Sequence, residues 1–203
     1  MLRPANPDAF LDDPKVHKAS RESDYMPYWP YLWGSAPEMA RLVLETSWNA
    51  GTRTLEVGAG IGLVGLAALT AGLDVTFSDY DATAVRLAVA NAALNGFPRS
   101  DGLVFDWRNL ELLGRTDPFP LILGCDVIYE RQIHNPLLDV LDRLLAHDGV
   151  CWLADPGRTH VSGFADQARE RGFVVEFRDA GFQRRANPAM NEFQLLILHA
   201  DKA

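Results

Sequence analysis

Apolar positions are sparse and irregular at the start of the chain and become periodic only after residue 51. Residues 1–26 are polar and broken by Pro4, Pro7 and Pro14, which reads as an arm or ordered lead-in. Tyr25, Tyr28, Trp29, Tyr31 and Trp33 then crowd together with Pro27 and Pro30, and prolines so close forbid a helix interior, so an irregular aromatic segment is expected. Ser35 and Glu38 have the spacing of a capping box, and Met39, Leu42, Val43 and Thr46 follow at helical intervals, with Gly51 expected to close that helix.

Beyond this point strand and helix patterns alternate. TRTLEV predicts a strand, a glycine turn follows, and LVGLAALTA predicts a helix ending at Gly72. LDVTFSD is the second strand, and residues 81–95 form a helix stopped by Asn95-Gly96 with Pro98 beyond. GLVFDW predicts a short third strand. PLILGCDVIY, almost continuously apolar, predicts a fourth strand covered on both faces. A leucine-rich helix begins at Asn135-Pro136 and is expected to end at Gly149. VCWLAD, FVVEFRDA and FQLLILHA supply three more strands, with a helix over 162–171 between the first two.

Strands alternating with helices imply parallel pairing and right-handed crossovers. The expected fold is therefore α/β: a Rossmann-like, doubly wound, seven-stranded and mostly parallel sheet with helices on both faces. Residues 1–34 are set apart as an arm with an aromatic segment, and residues 35–203 as one domain.

Composition narrows the function. Acids outnumber bases by 27 to 19, for a net charge of −8, and no basic run occurs. Nucleic-acid affinity rests largely on Lys and Arg neutralising phosphates, so DNA or RNA is not the expected substrate, and a basic protein or cationic small molecule suits the surface better. No apolar run approaches the ~18 residues of a membrane span, and the first residues do not read as a signal peptide. Cys125 and Cys151 each lie in a strand-like apolar run, which fits free thiols in a reducing cytoplasm. His134, His147 and His199 have no metal-ligand spacing, so no metal site is expected.

Leu55-Glu56-Val57-Gly58-Ala59-Gly60-Ile61-Gly62-Leu63 is the most informative stretch. Glycines at a strand exit let backbone approach a ligand closely. Asp79 ends the second strand, where a carboxylate can accept hydrogen bonds from both hydroxyls of a ribose. Together they imply an adenosine-containing cofactor. Gly60-Ile61-Gly62-Leu63-Val64-Gly65 is also a literal dinucleotide fingerprint, so an NAD(P)-binding oxidoreductase is a rival. Against it, Glu56 beside the turn suits a cationic sulfonium and amino group better than a pyrophosphate, and no Tyr-x-x-x-Lys set follows.

With the aromatic lead-in YWPYLWGSA, the turn LEVGAGIGLVG, the pair Asp106-Trp107 and the Asp126-Val127-Ile128-Tyr129 motif, the chain resembles the class I, seven-strand S-adenosylmethionine-dependent methyltransferases. In particular it resembles the branch that methylates lysines of non-histone proteins, among them calmodulin, chaperones and the electron transfer flavoprotein β subunit. Asp155-Pro156-Gly157-Arg158 is similar to the segment after strand five in the flavoprotein-directed members. The resemblance implies S-adenosyl-L-methionine as cofactor, S-adenosyl-L-homocysteine as product, and N-methylation of a protein lysine. Nicotinamide-like small-molecule N-methylation is the alternative.

It also implies roles. Glu56, Gly58, Gly60 and Gly62 would hold the methionine part of the cofactor and Asp79 the ribose, with Tyr80 beside the adenine, Asp106 accepting its amino group, Trp107 on its ring, and Cys125 also among the cofactor-binding residues. Asp126 and Tyr129 would be catalytic, with Trp29, Trp33 and Tyr129 meeting the substrate. A solvated lysine has pKa ~10.4 and offers almost no lone pair at neutral pH, so the site must favour the neutral amine by burying it. Aromatic faces would also attract the cation before it loses its proton. Arg158 is left between two roles, binding an acidic group and pairing with a surface carboxylate.

Overall fold

The computed structural model describes residues 1–12, 14–23 and 26–200; Tyr25 lies outside the described residues. The strands are β1 (Arg53–Val57), β2 (Asp74–Asp79), β3 (Asp101–Val104), β4 (Phe119–Cys125), β5 (Leu145–Asp155), β6 (Phe173–Arg178), β7 (Arg184–Arg185) and β8 (Gln194–Ala200). They form one sheet in the order β3-β2-β1-β4-β5-β8-β6-β7. From β3 to β5 all neighbours are parallel, whereas β8 runs antiparallel to both β5 and β6. The chain proceeds from β1 outward to β3 on one side and from β4 to β5 on the other. The order therefore reverses between β1 and β4, and open α/β sheets bind ligands at the carboxyl ends of strands beside such a reversal.

Helices cover both faces. α3 (Ala36–Glu45), α4 (Leu63–Thr70) and α5 (Ala82–Leu94) pack one face through Met39, Val43, Val64, Ala68 and Ala88 onto Phe77, Leu121, Leu123 and Trp152. α6 (His134–Leu144) and α7 (Val161–Glu170) pack the other through Leu137, Leu141, Phe164 and Ala168 onto Leu55, Val57, Ile122 and Leu153. The strict alternation of Leu121, Ile122 and Leu123 between the two faces is the period-2 geometry of a strand, and each of them is at most 1% exposed. Burial on that scale contributes roughly 1.5–3 kcal/mol per side chain.

The α/β architecture is as expected, with local corrections. Among the described residues there are eight strands, the additional one being the two-residue β7 at the sheet edge. β4 stops at Cys125 because Asp126 turns the backbone to φ 59°, so Asp126–Tyr129 is loop. α3 ends at Glu45, well before Gly51, which shapes the turn into β1 instead. The capping box at its start does not form: Ser35 makes no side-chain cap, and Glu38 is engaged by Arg41. β5 starts at Leu145, so Gly149 lies inside a strand. The segment before Met26 contains α1 (Asp8–Leu11) and α2 (Pro14–Ser23), and a 3-10 helix over Trp107–Leu112 follows β3. Among the described residues no helix is long and apolar enough to cross a membrane.

The first residues are docked. The Asn91 side chain on α5 accepts the Leu2 N–H and donates to the Leu2 and Ile61 carbonyls. Tyr31 Oη donates to Asp8, and Phe10 packs edge-on to Trp29 at 5.1 Å. These contacts hold the aromatic segment over the strand ends.

Candidate active site

A cavity of about 330 Å³ opens at the carboxyl ends of β1, β2 and β4, between the glycine turn and the aromatic segment. It is lined by Trp29, Trp33, Glu56, Gly58, Gly60, Asp79, Tyr80, Asp106, Trp107, Cys125, Asp126 and Tyr129. Of the residues assigned from sequence to cofactor, substrate or catalysis, only Gly62 stands outside the wall. It begins α4 in a left-handed conformation, against Ala88.

The turn after β1 shapes the floor. Gly58 has φ 62°, and a Cβ there would lie 2.7 Å from Val127 Cγ1 and 3.7 Å from the Trp107 ring. Both the dihedral and the space demand glycine. Gly58→Ala is expected to cost about 1–3 kcal/mol, read as a fall of several degrees in melting temperature. An unchanged melting temperature would show that the turn relaxes freely.

Two buried carboxylates face this turn. Glu56, on β1, is 3% exposed, and its Oε2 has no hydrogen-bond partner. Burial, with the nearby Asp79 charge adding, pushes its carboxyl up to about 8, against the pull of the Gly65 and Val64 N–H groups. Asp79 is 5% exposed; its Oδ2 accepts the Gly60 N–H at 3.1 Å and its Oδ1 the Asp81 N–H at 3.0 Å. Burial pushes Asp79 up to about 6. Such a pair suits a ligand that brings a positive charge and hydroxyl donors. The residues present therefore fit an adenosine cofactor carrying a cationic amino-acid end.

Asp106, Trp107 and Tyr80 stand on the far side of the turn. Asp106 caps the 3-10 helix through the Arg108 N–H at 2.9 Å and pairs with the Arg108 guanidinium at 2.8 Å. Burial raises its carboxyl, but the bonds from Arg108 outweigh this and hold it below the usual range. It is thus already partnered where it meets the cavity. Tyr80 Oη donates to the Met26 carbonyl, tying the aromatic segment to the end of β2.

At the end of β4, Asp126 is 6% exposed and in a left-handed conformation, which for a non-glycine residue costs roughly 1–2 kcal/mol. Its Oδ2 accepts the Ser35 N–H at 3.1 Å and the Cys125 thiol at 3.4 Å, and its Oδ1 lies 2.8 Å from Arg158 Nη1. Burial pushes the Cys125 thiol up, so it is no nucleophile. Tyr129 packs edge-on to Tyr28 with ring centroids 5.8 Å apart, and burial pushes its hydroxyl up to about 12, leaving it protonated at neutral pH. Trp29 is buried with its Nε1 unpartnered, while Trp33, at the rim, donates its Nε1 to the Tyr28 carbonyl.

Sequence reading missed three contributors. Tyr28 lines the cavity against Tyr129, the Ser35 N–H holds Asp126, and Arg158 is neither a surface partner nor in the cavity wall but bridges Asp126 and Asp155. The first had a signal in the aromatic cluster; the other two depend on contacts between distant segments.

Known proteins place this geometry. The family model described as lysine methyltransferase matches residues 31–169, from the aromatic segment into α7. The chain is similar to the histidine protein methyltransferase 1 homolog of Dictyostelium discoideum, 29% identical over 143 residues that cover 68% of this chain and 46% of that protein. It is 35% identical to the protein N-lysine methyltransferase METTL21A of Mus musculus over 108 residues, 51% of this chain and 49% of that one. The protein-lysine N-methyltransferase EFM2 of Saccharomyces cerevisiae is 28% identical over 185 residues, covering 77% of this chain and 42% of that protein. The chain thus matches just under half the length of each of these relatives. Among solved structures, a TehB-like SAM-dependent methyltransferase from Corynebacterium glutamicum shares the fold with a TM-score of 0.65 at 19% identity, covering 96% of this chain and 99% of that one. A ribosomal protein L11 methylase from Lactobacillus delbrueckii has the same TM-score at 20% identity, covering 83% and 80%. Since the family model takes in well over half of the chain, including the glycine turn, both buried carboxylates and the Asp126–Tyr129 loop, the chain belongs to the lysine methyltransferase family.

Proposed function

We propose that this chain is an S-adenosylmethionine-dependent methyltransferase that modifies a side-chain nitrogen of a protein, in the first place a lysine amine. The observation that carries the reading is the unpartnered Oε2 of buried Glu56 with Asp79 beside a left-handed glycine turn, in one cavity with Asp126 and Tyr129. The family match sets the oxidoreductase reading aside, and the relatives named above as protein methyltransferases support a protein acceptor.

In this reading Glu56 and the turn from Gly58 to Gly60 hold the amino-acid end of the cofactor, Asp79 the ribose, and Trp107 packs against the base. When bound, S-adenosylmethionine supplies an electrophilic methyl group on a positively charged sulfur. The chain's own work is alignment and control of the acceptor nitrogen. Residues 1–34 supply the substrate side: Tyr28, Trp29 and Trp33 form with Tyr129 a slot that excludes water and disfavours a charged amine. Asp126 accepts a hydrogen bond from that amine and orients its lone pair, and Tyr129, protonated, lends a second polar contact.

Calorimetric titration with S-adenosylhomocysteine, NAD and NADP in parallel tests the cofactor. Micromolar binding of S-adenosylhomocysteine alone is expected, and Asp79→Ala is expected to weaken it at least about tenfold through loss of the ribose contacts. Binding of a nicotinamide cofactor instead would overturn the reading. A labelled-methyl assay on a cell lysate then separates acceptors, because label confined to low-molecular-weight material would mean a small-molecule substrate.

A further inference from the structure

Asp126 follows the last residue of β4 and Asp155 is the last residue of the neighbouring parallel strand β5, and Arg158 lies across the two ends. Its Nη1 is 2.8 Å from Asp126 Oδ1 and 2.8 Å from Asp155 Oδ2. Asp155 is fully buried, and its Oδ1 accepts the N–H groups of Gly157 at 2.8 Å and Arg158 at 2.7 Å. The loop after β5 is thereby wound around its own aspartate, which determines where the guanidinium stands. Arg158 does not line the cavity; Asp126 does.

We infer that Arg158 is a positioning residue for the amine: it bridges the two buried aspartates so that Asp126 presents a charged, correctly turned oxygen to the acceptor nitrogen. The inference rests on the function proposed above, because it takes Asp126 to meet that nitrogen. Two carboxylates and one guanidinium leave one net negative charge in this corner, which favours a polar or cationic amine over an apolar group. Each carboxylate oxygen has two lone-pair sites, so the Ser35 N–H and the Cys125 thiol on Oδ2 and Arg158 on Oδ1 leave Asp126 with capacity to accept one more bond. Without the guanidinium two buried carboxylates would stand uncompensated in this corner, with the Cys125 thiol beside Asp126. Asp126 would then lose the partner that fixes which way its oxygen faces, at a site where it must accept the amine's hydrogen bond. Lysine at 158 would restore the charge as a single point but not the planar fork that reaches both partners.

The test uses two bisubstrate probes: S-adenosylhomocysteine with nitrogen in place of sulfur, bearing a short alkyl arm that ends either in an amino group or in a methyl group. The ratio of their affinities isolates the amine contact. The amino probe is expected to bind the wild-type chain about tenfold more tightly than the methyl probe. That advantage should fall below about twofold in Arg158→Met and return in part, to about threefold, in Arg158→Lys, with S-adenosylhomocysteine binding alike in all three. A structural role alone would change stability but not the ratio. If Arg158→Met also weakens S-adenosylhomocysteine binding, the ratio in Arg158→Gln decides by the same criterion. A full amino advantage without the guanidinium would overturn the inference while leaving the proposed function standing. Failure of the wild-type chain to bind S-adenosylhomocysteine would overturn both.

Discussion

An Asp126→Asn chain is expected to bind S-adenosylhomocysteine within about twofold of wild type yet to transfer methyl groups about 100-fold more slowly. The substitution removes the anionic oxygens while keeping the size of the side chain. Asparagine tolerates the left-handed backbone at this position as aspartate does, so the turn out of β4 persists. The amide oxygen can still accept the Ser35 N–H, which turns the amide nitrogen toward Arg158 and opens that side of the bridge, while Arg158 retains Asp155, so no buried cation is orphaned. What disappears is the anionic acceptor for the incoming amine. Tyr129→Phe keeps the ring edge against Tyr28 and removes only the hydroxyl, so a smaller loss of about tenfold is expected. Single-turnover transfer of a labelled methyl group measures both. Wild-type rates in both variants would place acceptor recognition elsewhere in the cavity.

Glu56→Gln should move stability and binding in opposite directions. The Glu56 carboxyl rises from an ordinary 4.5 to about 8 in the folded chain. Between those values the folded state holds the proton more firmly than the unfolded state, so stability falls as pH rises through the window. Asp79, raised to about 6, adds a fall of the same sign at lower pH. Glutamine carries no charge and escapes the Glu56 part. At pH ~8.5 the variant is expected to be a few kcal/mol more stable than wild type without ligand, several degrees in melting temperature, and the difference should vanish near pH 5. Affinity for S-adenosylhomocysteine should meanwhile drop about tenfold, since the cationic amino group loses its carboxylate. Equal melting temperatures at the higher pH would show that Glu56 is not held as an uncompensated charge.

The layered fold was legible because its elements repeat one pattern. β1, β2, β4 and β5 are apolar runs followed by helices with clear stops, and the glycine turn and Asp79 mark two strand ends by chemistry alone. The two-residue β7 has no period to detect, and it exists only through pairing with β6. The Ser35–Glu38 pattern had the right letters, but both partners found better ones: the Ser35 N–H went to Asp126, 91 positions away, and Glu38 to Arg41. Arg158 could not be assigned from local sequence, since its role depends on β4 and β5 lying side by side. The residues assigned to cofactor, substrate or catalysis from sequence, by contrast, line the cavity in every case but Gly62, because ligand chemistry selects distinctive residue types at strand ends.

The placement of β8 bears on how the molecule is made. Synthesis runs from residue 1 onward, yet the strand over Gln194–Ala200 lies between β5 and β6, with partners on both edges. While the ribosome is still adding residues before Gln194, β5 has an open edge and β6 has nothing to join it to the rest of the sheet. The nascent chain therefore carries two unpaired and partly apolar edges, a state prone to wrong pairing with neighbouring chains. Closure of the sheet waits on residues 194–200, and a message cut short before residue 194 would yield a chain with a complete glycine turn and a gap in its sheet.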